Sequence, residues 1–332
     1  MPRLRNANAC CRAVQQGLEW LGPHFGNDEE WAARPHALVA YHKVPYLLAS
    51  TGHVEECRRA LAWINTNLVT PEGDFNSTPA PTDEAFEPAQ ARYKAWIILA
   101  AQISSCYDIA TPGVRFLAGQ QGASTGGIYD LDTNRQRSES ADVRTTASAG
   151  LAFLSCGMTE AAHKCGRFLT CALQTQSDEN RFYIRLDARG ILIRKFPKSQ
   201  TDSHVVMRAR GKTRVGFLGI PMVFLAKLHL ATREDQWLES AMDYFAFAQQ
   251  YDESAWTGER SGPLGWGAAA LYGITRRRLY YDAADRVAQA WIRRQRPNGS
   301  WRPQGGDPDS SVALTRTAET AICLLESLRE AQ

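Results

Sequence analysis

The 332-residue sequence has no Cys-x-x-Cys pair, no large charge surplus of either sign, and no leader-like apolar stretch at its start. Each absence excludes something. The eight cysteines, Cys10, Cys11, Cys57, Cys106, Cys156, Cys165, Cys171 and Cys323, sit among Ala and Leu without the spacing of a dithiol or zinc motif. They read as reduced, mostly buried thiols, so no metal and no cofactor is expected from them. The net charge is +3, and the densest basic spot is Arg276–Arg278. Scattered charge of this kind leaves no footprint for nucleic acid. The apolar runs fall short of the roughly 18 residues that span a bilayer. The opening MPRLRNANACC lacks a signal-peptide core. The expectation is a soluble, cytoplasmic chain with no membrane span, and its 44% hydrophobic content suffices for a sizeable core.

What is present is a repeat. Near the C-terminus, WIRRQRPNGSW places Trp291-Ile292 before Gln295, Gly299 and Trp301. Degenerate copies begin at Trp63, with Gly73 and Phe75, and at Phe116, with Gln120, Gln121, Gly127 and Tyr129. Two more begin at Phe168, with Gln174, Gln176 and Phe182, and at Phe245, with Gln249, Gln250 and Trp256. The copies recur roughly every 50 residues, with one longer interval, and such a period marks a repeat architecture. In each, an amphipathic helix ends in the motif and a Gly-rich turn follows. A more apolar helix then begins, as in QARYKAWIILAAQI or GPLGWGAAALYGIT. About six such pairs follow from the pattern. Neither terminal pair looks like a polar cap, so the stack closes on itself. The expected fold is an all-α (α/α)6 toroid spanning 1–332 as one domain, apolar helices inside and amphipathic ones outside. The long interval holds RFYIRLDARGILIRKF, whose alternation around DARG reads as an inserted β-hairpin over 181–196. With its following loop, to 212, it belongs at one end of the barrel.

Gln295, Gly299 and Trp301 fit the Gln-x-x-x-Gly-x-Trp repeat of squalene and hopene cyclases. The chain thus resembles the α/α-toroid superfamily of terpenoid cyclases and protein prenyltransferase β-subunits, as a single-barrel member. Departures are equally visible. Class II cyclases carry Asp-x-Asp-Asp, whose middle carboxyl protonates the substrate; here Asp130-Leu131-Asp132-Thr133 is one carboxylate short and follows a turn. The Asp-x-Cys portion of the prenyltransferase zinc set is absent, as is the Asp-rich diphosphate sequence of class I synthases.

A ring of six inner helices leaves a central cavity, and the starts of those helices face its mouth. Reading them along the chain gives candidate substrate-binding residues Tyr41, Tyr46, Tyr93, Trp96, Thr146, Phe217, Met222, Trp266, Tyr272 and Thr315. The polar candidates for catalysis are His42, Arg92, Asp132, Asp142, Arg144 and Glu319. The aromatic share suits a hydrophobic small molecule. Two mechanisms fit: an acid from Asp132, Asp142 or Glu319 starts a carbocation cascade, or the pocket folds a polyene and activates it by hydrogen bonding. The expected activity is therefore a metal-independent cyclase of a terpenoid or polyene intermediate. The rivals are a glycan-processing (α/α)6 barrel, which needs facing carboxyls or His and Arg with Tyr, and a non-catalytic lipophile-binding or scaffold protein.

Overall fold

The computed structural model describes residues 7–25, 38, 41–75, 90–131, 136–208, 214–302 and 311–332. Its elements run α1 (Ala7–Leu21), α2 (Val44–Ser50), α3 (Val54–Asn67), α4 (Gln90–Ile103), α5 (Tyr107–Gly119), β1 (Tyr129–Leu131), β2 (Arg137–Asp142), α6 (Val143–Ser155) and α7 (Thr159–Gln174). Then come β3 (Arg181–Tyr183), β4 (Arg185–Asp187), α8 (Thr201–His204), β5 (Val205–Met207), α9 (Gly219–Thr232) and α10 (Asp235–Gln249). The chain ends with α11 (Glu253–Thr257), α12 (Gly262–Thr275), α13 (Arg278–Arg294) and α14 (Ser311–Glu330).

Six of these helices form a closed inner ring. α2 packs on α4, α4 on α6, α6 on α9, α9 on α12, α12 on α14, and α14 returns to α2. Behind each stands an outer helix: α3, α5, α7, α10 and α13 pack on the inner helix that precedes each in the chain, while α1 packs on α14. The expected (α/α)6 toroid is the fold. Its division of labour follows from the residues. α13 buries Tyr280, Tyr281, Ala284, Val287, Ala288 and Trp291, one helical face, and turns its arginines outward, while Asp285 is buried. α9 and α12 are apolar on nearly every side and buried from Gly219 and Gly262 onward. They approach closely because Gly267 faces Met222: a Cβ there would lie 2.8 Å from the Met222 Cβ. The stretch Val215–Thr232 does reach the length and hydropathy of a membrane span, which unbroken apolar runs had not suggested. Most of it is buried in the ring, where an inner helix has no polar side to keep.

The repeat residues tie outer helices together. Gln295 Nε2 donates to the Gly299 carbonyl (2.9 Å) in its own turn and to Ala13 O (2.7 Å) on α1. Gln121 Nε2 does the same with Gly126 O (3.0 Å) and Ala161 O (2.9 Å) on α7. Gln176 instead bridges Ala172 O and both backbone groups of Tyr183. Gln249 and Gln250 are exposed. Trp301 is buried over Gly17, its Nε1 donating to Trp291 O (2.8 Å). Gly73, Gly126 and Gly299 all have left-handed φ (86°, 77°, 90°). Each presses on a carbonyl of the next outer helix, so that a Cβ would sit 2.4, 2.2 and 2.2 Å from Pro112, Lys164 and Gln16 oxygens.

The inserted segment turns where expected, with Gly190 N donating to Asp187 O and an isolated bridge from Leu186 to Leu192. Its arms pair mainly elsewhere. β4 adds to an antiparallel sheet in the order β1-β2-β4, with Ala141 opposite Leu186, and β3 pairs with β5, Phe182 opposite Val206. The alternation seen in the sequence does bury Phe182, Ile184 and Leu186. A two-stranded ribbon would leave that face half-covered, and two further pairings cover it.

Gly299→Ala combines a left-handed backbone with a clash on Gln16, so it should lower the unfolding free energy by roughly 1–3 kcal/mol in urea titration. A change below about 0.5 kcal/mol, the usual range for uninvolved surface positions, would contradict this account of the turn.

Candidate active site

The ring encloses a cavity of about 790 Å3, open at the end where the inner helices begin. Residues from the first turns of five of them, and His42 and Lys43 just before α2, reach its wall. Of the sequence candidates, His42, Arg92, Arg144 and Glu319 line it, as do Tyr93, Trp96, Phe217 and Thr315. Others lie behind the wall. Tyr41 is buried edge-on to Phe25 and Trp63, and Tyr46 donates to Glu326 (3.2 Å). Thr146 Oγ1 accepts the Ile128 amide (3.1 Å), and Met222 packs into the α9–α12 contact. Trp266 sits beneath Trp96, ring centroids 6.3 Å apart, and Tyr272 meets Tyr281 edge-on near the far end of α12. Asp142 caps α6, accepting the amides of Arg144 and Thr145 at 2.9 Å each. Asp132 lies outside the described residues.

The wall is more charged than the sequence suggested. Every inner helix brings one cation to the mouth, within its first two turns or just before them: Lys43 (α2), Arg92 (α4), Arg144 (α6), Arg214 (α9), Arg260 (α12) and Arg316 (α14). Arg294 joins them from the end of α13, while the acids among the described lining residues are Asp202, Glu259 and Glu319. Of the six helix-start cations, only Arg92 and Arg144 stand out in the sequence as site candidates. The recurrence of all six around the helix starts, some before and some after, was the available signal. It is an unusual one, because helix N-termini are already partly positive and ordinarily attract acids.

Aromatic faces support several of the cations. Arg144 Cζ lies 3.8 Å from the Phe217 centroid and Arg214 Cζ 5.6 Å from the same ring. Arg92 stands over Tyr93 (5.2 Å) and Lys43 over Trp96 (5.8 Å). His42 is buried against Tyr93, ring centroids 4.6 Å apart, with Nδ1 3.2 Å from Leu38 O. Ser148, one turn below Arg144, also lines the cavity.

Acid and base character follow from this field. Burial alone would raise the Glu319 pKa, but Lys43 Nζ at 3.2 Å, then Arg316 and Arg144, hold the carboxyl down at about 2. Burial likewise opposes the Asp142 charge, and Arg185, Arg144 and Arg92 overcome it, leaving Asp142 below its usual range. Both are therefore carboxylates at neutral pH and poor proton donors. Asp130 is the contrast: burial pushes it up to about 6, although it accepts the Ala91 amide, and it does not line the cavity. Burial, reinforced by Arg316, Arg214 and Arg144, lowers Arg260 to about 10. Among the described residues, no three His, Cys, Asp or Glu side chains converge as a metal-binding group.

The chain matches no family model and no curated protein by sequence. Its fold is shared with solved enzymes at low identity. A D-mannose isomerase superposes with a TM-score of 0.71 at 12% identity, covering 99% of both chains. An α-mannanase of glycoside hydrolase family 76 from Bacteroides thetaiotaomicron gives 0.61 at 12%, over 97% of this chain and 95% of that one. A type II terpene cyclase from Scytonema, solved with geranylgeranyl dihydroxybenzoate, gives 0.59 at 12%, over 98% and 99%. The chain is similar to all three in architecture, a barrel on which cyclisation, isomerisation and glycan cleavage all occur.

Because the folded-state pKa of Glu319 lies below its ordinary 4.5, its stabilising contribution is complete above that value and is lost as pH falls toward about 2. Lys43→Met should therefore cost roughly 1–3 kcal/mol at pH 7 by leaving Glu319 without its ammonium partner. The gap to the parent chain should narrow as urea titrations are repeated from pH 5 toward pH 2. A gap independent of pH would show that the pair is not responsible.

Proposed function

We propose that this chain is an enzyme that closes a ring in an amphiphilic small molecule, a cyclase that works by holding and polarising its substrate. The apolar part of the substrate lies against Tyr93, Trp96, Phe217 and Trp291, and its polar end lies among the cations of the mouth. The observation that supports this is the six-membered set of cations, one per inner helix, above an aromatic belt.

The same charges favour one of the two cyclisation mechanisms. A carbocation 6 Å from a guanidinium is repelled by about 3 kcal/mol at an effective dielectric of 20, and several guanidiniums surround this space. The aromatic faces that would soothe such a cation already carry Arg144, Arg214, Arg92 and Lys43. The described acids offered for starting a cascade, Glu319 and Asp142, are held ionised. Negative charge developing on a conjugated carbonyl is instead favoured here, where fixed donors act without reorganising. In this reading Arg92 and Arg144 polarise the carbonyl, and the wall folds the chain for ring closure. Orientation alone supplies roughly 7–11 kcal/mol of a barrier.

A second reading, isomerisation of a sugar, is favoured by the polar wall and the full-length likeness to D-mannose isomerase. Glycoside cleavage has less support. It needs an acid and a base facing one another; of the three described lining acids, Asp202 and Glu319 are engaged by Arg214 (3.5 Å) and Lys43 (3.2 Å), which leaves Glu259 for one of the two roles. The cavity is also roomier than a monosaccharide requires, within the range of drug-sized ligands.

Two measurements test the cyclase. Octanoate should bind at least about tenfold more tightly than octylamine, both below micelle-forming concentration; the reverse order would restore the carbocation mechanism and sink this one. A panel of conjugated polyene ketones and acids should yield isomeric cyclic products of unchanged mass. Arg92→Gln and Arg144→Gln should each lower kcat by about 100-fold. Consumption of D-mannose by the same preparation, with no polyene converted, would favour the sugar isomerase.

A further inference from the structure

Beneath the charged mouth, the cavity wall has a second layer. One turn after Arg92, Arg144 and Arg316, on the same faces of α4, α6 and α14, stand Trp96, Ser148 and Thr320. That places them roughly 6 Å further in, at 1.5 Å per residue. The order of the inner ring sets α6 and α14 three places apart, so Ser148 and Thr320 belong to opposite walls. On the helices either side of α6, Trp96 of α4 and Ile220 of α9 line the cavity with apolar surface. Both hydroxyl-bearing residues are buried, Ser148 at 1% and Thr320 at 3% exposure.

A hydroxyl on a helix ordinarily finds the carbonyl four residues back. Thr51, Thr66, Thr175, Thr232 and Thr275 each donate to theirs. The hydroxyls of Ser148 and Thr320 make no such bond, nor any other among the described residues. A buried hydroxyl left in that state is unfavourable, and an alkyl chain laid across this layer would keep both there. A ligand oxygen would relieve it, because each hydroxyl can donate to a keto group or exchange bonds with a hydroxyl. Turning about χ1 between staggered positions lets each reach a ligand against its wall. Two hydroxyls cannot offset the burial of an ionised group, so the matching oxygen is an uncharged one.

We propose that Ser148 and Thr320 bind an uncharged oxygen, a keto or hydroxyl group, in the part of the substrate that lies below the cations. The substrate is then oxygenated at two depths, at the mouth and again about one turn further in. This rests on the cavity being the substrate site, as in the reading above, and it narrows the class of that substrate. The two hydroxyls act in binding alone, and neither need lose its proton.

Binding can be measured without turnover, by calorimetry on the full chain with octanoate and 5-oxooctanoate. The two acids share length and charge, so the mouth acts equally on both and only the inner oxygen differs. A wholly apolar wall would prefer octanoate. The parent chain should instead bind 5-oxooctanoate at least about fivefold more tightly. Ser148→Ala and Thr320→Val should each reduce that preference by about threefold, and together they should reverse it. Thr320→Ser, which keeps the hydroxyl, should retain it within about twofold. Circular dichroism identifies any variant that has not folded, and the remaining ones then carry the comparison. Ser148→Ala removes a hydroxyl without a partner, so its melting temperature without ligand should not fall; a fall of more than about 4 °C would show a structural role and overturn the proposal. A parent chain that prefers octanoate would overturn it too, as would an oxo-acid preference that survives the double substitution, or no measurable binding of either acid. If the oxo acid is preferred through these hydroxyls and no polyene is cyclised, the oxygen site stands and the cyclase reading falls. Cyclisation of polyenes, with the order of the two acids unchanged by the variants, leaves the cyclase and removes this site.

Discussion

Six inner helices that all begin at one end of the ring impose the constraint from which the rest follows. Each brings a partial positive charge to the cavity's mouth, while the opposing ends of the antiparallel outer helices stand farther out, behind them. A neutral chain would offset this with acids at the first turns. Here Asp142 does so for α6, but Lys43, Arg92, Arg144, Arg214, Arg260 and Arg316 add charge of the same sign. The mouth is consequently electropositive by architecture and by composition together. Its aromatic residues serve partly as platforms for those cations.

The outer ring has a different task, and the repeated motif performs it. A glutamine at the end of one outer helix reaches a carbonyl of the next, while a left-handed glycine allows the turn to touch that same helix. Gln295 and Gln121 show this in nearly the same form although their sequences differ. An amide side chain suits the role because it donates two hydrogen bonds and carries no charge to desolvate.

Much of the architecture was legible because it depends on periodicity. The recurrence of an aromatic, a glutamine and a glycine located the hairpins, and the contrast between α12 and α13 told inner from outer. The segment 181–196 was partly legible. Its alternation fixed which residues, Phe182, Ile184 and Leu186, are buried, but strand partners such as Val206 lie beyond any local pattern. The candidate site was read with the same strength and the same weakness. Helix starts identified His42, Arg92, Arg144 and Glu319 as facing the cavity. Tyr41, Thr146 and Met222 share that register but point behind the wall, since a helix face turns by 100° per residue. The cationic set was missed because Arg214 and Arg260 precede their helices and look like ordinary loop charges until the ring brings them together.

The pairing of α1 with α14 has a bearing on how the molecule is made. The first described helix is the outer partner of the last described one, so that hairpin joins segments about 300 residues apart in the sequence. Contacts of such long separation cost the most loop entropy and form late. During translation α1 would wait with its apolar stripe, Val14, Leu18 and Leu21, uncovered until α14 emerges. Nascent chains of this protein should therefore depend on chaperones that shield an early helix, and a circular permutant joining the two ends should relieve that dependence.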